Sequence, residues 1–182
     1  MDHNAEYWRN EVVAFLALSS IKGVGYWTLY RLRSPGEGFK DFLKNSSIPV
    51  LEEKLKVSLL LDGESPEDWQ RRIWETGLKI ARELGQKGIR LYFRGQKEFP
   101  VQLRAINDGP KWLFVQGEIR NLHNRSVAVV GTRKPSADGD FLTRYVIALL
   151  ANSGRTVVSG LALGIDQVAH QQSLRFGLPT VA

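Results

Sequence analysis

Two short stretches in the second half of the chain hold the residues best suited to chemistry. The first is Val130-Gly131-Thr132-Arg133-Lys134-Pro135-Ser136. Gly131 lets a backbone approach a ligand closely, Arg133 offers a planar fork that can grip a phosphate through two hydrogen bonds, and Thr132 and Ser136 carry hydroxyl donors. The plain alternative is an ordinary turn with a surface Arg133-Lys134 pair. The anion site is favoured because both cations fall where unpaired N–H groups at a helix start concentrate positive potential. The second stretch is Val158-Ser159-Gly160-Leu161-Ala162-Leu163-Gly164-Ile165-Asp166. Gly160 and Gly164 permit a tight loop over a phosphate or ribose. Asp166 either caps the following helix or holds a sugar hydroxyl, with capping the stronger reading. His170 lies four residues further along the same helical face and reads as a structural hydrogen-bonding group ahead of a catalytic or ligand contact.

A third feature stands near the N-terminus. Ile21-Lys22-Gly23-Val24-Gly25 falls between two helical stretches and has the pattern of a helix-hairpin-helix turn. Its Gly pair tightens the turn, and the amides that follow can face a DNA phosphate, with Lys22, Gly23 and Gly25 as contact residues. A scaffold role is weighted slightly above DNA contact here. The aromatic residues read mostly as core, Trp74 in a helical stripe and Trp112 in a strand. Base stacking is the weaker reading for Tyr26 and Trp27.

Other chemistries are poorly supported. The chain has no Cys, which removes disulfides, thiolate nucleophiles and cysteine zinc sites together and fits a reducing, cytoplasmic setting. The three histidines, His3, His123 and His170, show no paired spacing, so no metal site is expected. There is no GxxxxGK[ST], no GxGxxG, no serine elbow and no poised pair of acids, so neither catalysis nor a bound cofactor is expected. The polar, acidic start Met1-Asp2-His3-Asn4-Ala5-Glu6 is no signal peptide. The longest uncharged apolar run, Tyr145 to Ala151, is far below the ~20 residues that span a bilayer, so no membrane association is expected.

These stretches need elements to hold them. Residues 5–86 read as helical. Val12, Val13, Phe15, Leu16 and Leu18 form one amphipathic stripe, and Ser65-Pro66-Glu67-Asp68 starts a long helix that Gly85 or Gly88 ends. Shorter helices are expected at 24–33, 36–44 and 49–56. From residue 89 the texture changes. Residues 89–93 and 112–115 look like strands, joined by an extended stretch containing Pro100 and Pro110. Residues 127–130 and 156–158 are β-branched and uninterrupted, as strands buried on both faces are. A helix begins after the first loop and carries Phe141, Leu142, Tyr145, Val146, Leu149 and Leu150 at spacings of three and four, a second covers about 165–176, and another strand starts at Pro179. The order β-α-β-α-β predicts a parallel sheet with right-handed crossovers, so both loops would lie at its carboxyl rim. The expected domains are 1–86, helical, and 87–182, α/β, the latter incomplete on its C-terminal side. The net charge of +6 follows this division. Residues 1–88 hold 13 basic and 13 acidic residues, and residues 89–182 hold 12 and 6. A basic half favours a polyanion or anionic ligands as much as a merely soluble surface.

The loop Gly131-Thr132-Arg133-Lys134-Pro135 and the stretch from Ser159 through Asp166 to Ala169-His170 resemble the DNA-processing protein A family, DprA or Smf. Its hallmark is a G-[ST]-R loop followed by S-G-L-A-x-G-I-D-x-x-A-H, matched here at every fixed position. Phe99-Pro100, Leu103, Ile106, Asp108, Pro110, Leu113 and Gly117 look like the family's lead-in. The resemblance implies an N-terminal helical, sterile-alpha-motif-like domain with the helix-hairpin-helix, followed by an extended Rossmann-like domain. It implies a protein that binds single-stranded DNA, protects incoming strands during natural transformation and loads the RecA recombinase. Arg133 matches the motif arginine and would be the main DNA contact. Gly131, Thr132, Lys134, Ser136, Ser159, Gly160, Gly164 and Asp166 complete the expected phosphate-binding set. Surfaces for RecA and for a homodimer are expected largely in a missing C-terminal part, along with a winged-helix-like domain. Two departures stand out. Gly109 replaces a frequent Pro, and Ala137-Asp138-Gly139 lacks the aromatic often found before that Gly, which removes a ring near the loop.

Two other classes compete with a non-enzymatic DNA binder. One is a nucleotide enzyme of the phosphoribohydrolase, Lonely Guy-like type, whose P-G-G-x-G-T-x-x-E stretch does not occur here. The other is a double-strand DNA or protein-docking module run by the hairpin.

Overall fold

The structure is a computed structural model that describes residues 4–32, 38–59 and 61–182. By contacts the chain divides into two compact units, Met1–Phe99 with Gly109–Gly117, and Pro100–Asp108 with Glu118–Ala182.

The first unit contains α1 (Ala5–Ser19), α2 (Tyr26–Leu32), α3 (Phe39–Asn45), α4 (Ile48–Leu55), α5 (Pro66–Gln86) and an antiparallel ribbon of β1 (Ile89–Phe93) and β2 (Trp112–Gln116). The second half of α1 is buried on every side from Val13 to Leu18, which makes it the central helix. α5 begins as its sequence pattern predicts, with the Ser65 hydroxyl accepting the Asp68 N–H at 3.1 Å and two acids in the first turn. A long-range cap was not legible. Glu11 on α1 is 1% exposed, and its two carboxylate oxygens accept the N–H groups of Phe39 and Lys40 at 2.9 and 3.0 Å. Two orphan donors at the start of α3 are thereby met, since Gly38 at its N-cap has no side chain to meet them. Parts of the expected helices 24–33 and 36–44, and His3, lie outside the described residues.

The ribbon joins this helical unit, not the α/β unit in which the sequence reading places residues 87–117. Phe93 and Trp112, paired across the ribbon, pack with Phe15 of α1 at centroid distances of 5.7 and 4.8 Å. Burial of these rings is what fixes the ribbon there. The charge division changes with it. Arg90, Arg94, Lys97 and Lys111 now count with the helices, and each compact unit carries +3.

The second unit contains α6 (Val101–Arg104), a 3-10 turn (Ile119–Leu122), β3 (Ser126–Ala128), α7 (Ala137–Leu150), β4 (Thr156–Val158), α8 (Ile165–Arg175) and β5 (Thr180–Val181). The strands form a parallel sheet in the order β3-β4-β5, with Val127 opposite Val157 and Val158 opposite Val181. The alternation and the parallel sense follow the sequence expectation. α6 does not, because its residues were expected to be extended; Pro100 stands at its N-cap, where a missing N–H is harmless. α7 starts directly after the loop, at Ala137, where Ser136 caps it by accepting the Gly139 N–H at 3.2 Å.

Candidate functional site

Strands β3 and β4 are neighbours, so the loops that leave their carboxyl ends lie side by side. They are interlocked by three hydrogen bonds. Val129 donates its N–H to the Val158 carbonyl at 2.9 Å, the Ser159 hydroxyl donates to the Val129 carbonyl at 2.7 Å, and Ile165 donates to the Thr132 carbonyl at 3.1 Å. Gly164 makes the last contact feasible. Its φ is +84°, and a Cβ there would sit 2.3 Å from the Thr132 oxygen. Gly131 has a packing role as well, since a Cβ on it would strike Ile165 at 2.7 Å.

The expected site residues separate into two groups. Thr132, Arg133, Lys134 and Ser136 are exposed, as are Gly131 and Gly160. Arg133 and Lys134 form no ion pair among the described residues. The amides of Gly131, Thr132 and Arg133, and those of Leu161, Ala162, Leu163 and Gly164, donate to no group among the described residues. Two runs of unpartnered N–H groups therefore flank two unpaired cations. That is the chemistry of an anion cradle.

Ser159 and Asp166 are buried at 5% and 7% exposure, and they build the loops rather than line an open surface. Asp166 is not the cap of α8, whose N-cap position is Gly164. Instead its Oδ2 accepts the Gly160 N–H at 3.1 Å, which braces the turn and takes that amide away from a ligand. Ser136 and Thr132 are also partly engaged, Ser136 as the cap of α7 and Thr132 as acceptor of the Lys134 N–H at 3.2 Å. His170 is a structural link. Its Nδ1 lies 2.7 Å from Thr180 Oγ1, which in turn lies 3.1 Å from the Val157 carbonyl oxygen. Of the acids in the first turn of α7, Asp140 is neutralised by Arg144 at 2.6 Å. That hydrogen bond holds the Asp140 carboxyl below its ordinary pKa and the guanidinium above its own.

Leu161 is a feature that the sequence reading missed. It has φ +58° and is 73% exposed, so an apolar side chain stands in solvent on a left-handed backbone. The turn near the N-terminus joins two helices. It runs from the end of α1 to α2, with Gly23 at φ +92° and Lys22 exposed. A groove of about 1170 Å³ also lies in the first unit, lined by Trp8, Val12, Leu78, Leu84, Arg82 and Arg90 among others; none of the loop residues lines it. No helix among the described residues is long and apolar enough to cross a membrane, and no described cluster of three His, Asp or Glu could hold a metal.

A family model described as DNA recombination-mediator protein A matches residues 90–182. A protein named Smf from Escherichia coli (strain K12) is 44% identical over 84 residues, which is 46% of this chain and 22% of that protein. A second Smf, from Synechocystis sp. (strain ATCC 27184 / PCC 6803 / Kazusa), is 29% identical over 181 residues, 95% of this chain and 44% of its own. The X-ray structure of DNA processing protein A from Streptococcus pneumoniae matches with a TM-score of 0.52 and 26% identity, covering 100% of this chain and 58% of that one. The chain thus spans less than half the length of these curated relatives.

Proposed function

The chain belongs to the DNA recombination-mediator protein A family, and from that premise we propose that it takes part in DNA processing as a single-strand DNA binder. The interlocked loops after β3 and β4 are the contact surface. The observation that carries this reading is the pairing of unpaired Arg133 and Lys134 with two runs of unpartnered amides on adjacent loops. Such a surface recognises the sugar-phosphate chain without reading sequence. It calls for no bond-breaking group. The strand is held and passed on, and in the cytoplasm the recipient is the RecA recombinase during uptake of transforming DNA. The names borne by the relatives, DNA processing protein A and recombination mediator, support the same role.

Titration of labelled single- and double-stranded oligonucleotides at several salt concentrations tests it. Single strands bind more tightly, and the affinity falls with salt. Arg133→Ala weakens all sequences alike, by about tenfold, and flattens the salt dependence by about one unit of slope. Wild-type affinity and slope in that variant would remove the loops from the contact.

A further inference from the structure

We propose that Tyr26 and Trp27, at the start of α2, form a nucleobase-stacking platform, a second contact for single-stranded DNA on the first unit. The inference rests on the reading that the chain binds single strands, and adds a surface which that reading does not use. Trp27 is 63% exposed and Tyr26 48%, while the other large apolar side chains described in this unit, save Val50 and Phe114, are buried or half-buried. The two rings are held rather than loose. Trp27 meets Tyr26 edge-on at 5.1 Å and Tyr30 at 5.6 Å, and Tyr26 leans on buried Trp112 at 5.1 Å. Tyr30 in turn lies under the Lys111 ammonium, 4.0 Å from its ring centroid. An exposed indole fixed from behind loses little freedom when a base stacks on it.

The charge around the platform suits a polyanion. From Val12 to Leu32 the sequence carries Lys22 and Arg31 and no acidic residue. Lys22, in the turn before Tyr26, and Arg31, four residues after Trp27, are exposed and form no ion pair among the described residues. Arg31 borders a hollow that also holds Asp41 and Glu53, and pairs with neither. Rings flanked by unpaired cations recognise unpaired bases with phosphates on either side. A duplex keeps its base faces stacked inside and offers the platform nothing. The platform therefore adds preference for single strands to the sequence-blind grip of the loops.

The test compares the 182-residue chain with Trp27→Ala and Trp27→Phe, by fluorescence anisotropy against labelled oligothymidine and an abasic strand of equal length. Trp27→Ala loses about tenfold on oligothymidine and nothing on the abasic strand, while Trp27→Phe retains most of the affinity. Circular dichroism confirms the fold, which an exposed ring does not support. Equal effects on both strands, or none on oligothymidine, overturn the platform. So does a Trp27→Ala variant that changes its sedimentation but not its DNA affinity, since the surface would then belong to a protein contact. Arg133→Ala separates the two readings. If it loses both strands while Trp27→Ala loses neither, only the platform falls; if the wild-type chain binds neither strand, both fall.

Discussion

The two compact units handle apolar surface in opposite ways. In the first, fifteen buried residues form one cluster around α1, with the ring of Phe15 against those of Phe39, Phe93 and Trp112, and Phe39 against Phe93. In the second the buried cluster is Ile147, Val157, Ala169 and Leu178, and twelve of the sixteen exposed large apolar side chains of the described residues lie there. Phe141, Leu142, Tyr145, Val146 and Leu149 form an exposed face on α7. Among the described residues the sheet of this unit has three short strands. Its loops are tied by the hydrogen bonds of Ser159 and Asp166, and those of His170 and Thr180 tie α8 to β5 and β5 to β4. The lesson is that packing holds one unit and polar bracing shapes the other, and the proposed phosphate cradle sits on the braced one.

The largest test of this contrast is truncation in the packed unit. Phe93 is 0% exposed and touches the rings of Trp8, Phe15 and Phe39. Phe93→Ala should destabilise that unit by about 3–5 kcal/mol, read from urea unfolding. Ile147→Ala in the second unit should cost about 2 kcal/mol, because the site can collapse towards a thin core. Native-state hydrogen exchange should show the second unit opening at the lower free energy. Equal costs, or amides of α8 outlasting those of α1, would break the contrast.

A smaller effect follows in the braced unit. Gly164→Ala introduces a Cβ 2.3 Å from the Thr132 carbonyl oxygen at φ +84°, where the Cβ is fixed rigidly to its Cα and the oxygen, a backbone atom, cannot yield cheaply. The loops should part, with a loss of about 2–3 kcal/mol and of single-strand affinity together. If stability falls and binding does not, the interlocked arrangement is scaffold and the cradle lies elsewhere.

The same contrast decides what was legible in the sequence. Elements set by local pattern were readable. Ser65-Pro66-Glu67-Asp68 starts α5, Thr156–Val158 is a strand, and the β-α-β-α-β order gives a parallel sheet. The Gly-containing stretches did fall at adjacent loops. What depends on distant partners was not readable. Nothing local in residues 89–93 and 112–116 says that their partners are the aromatics of α1, so the sequence reading groups the ribbon and its charges with the α/β residues, whereas by contacts they fall with the helices. Asp166 was read as a cap because it opens an apolar helix, whereas a loop amide six residues earlier claims it. Nothing local marks Glu11, which caps a helix 28 residues away. Polar bracing uses residue types that local rules assign to surfaces, and only the folded partners reveal it.

The smallest predicted effect concerns strain. The first unit places Lys56 and Asp62 at positive φ, both polar, with Lys56 closing α4 as its C-cap. The second unit places Leu161 there, with its side chain in solvent. A leucine in the left-handed region is disfavoured by roughly 1–2 kcal/mol, and little burial offsets it. Leu161→Gly relieves that strain but adds freedom to the unfolded chain, so the net gain should be about 0.5–1 kcal/mol, seen as a higher urea midpoint. The paired reading is single-strand affinity. A more stable variant that binds DNA less well would mean that the strained side chain serves the cradle, as strain stored beside a working site does. A more stable variant with unchanged binding would leave Leu161 as one more exposed apolar group of the kind that crowds α7. It would move the meaning of that surface from DNA to whatever covers the second unit.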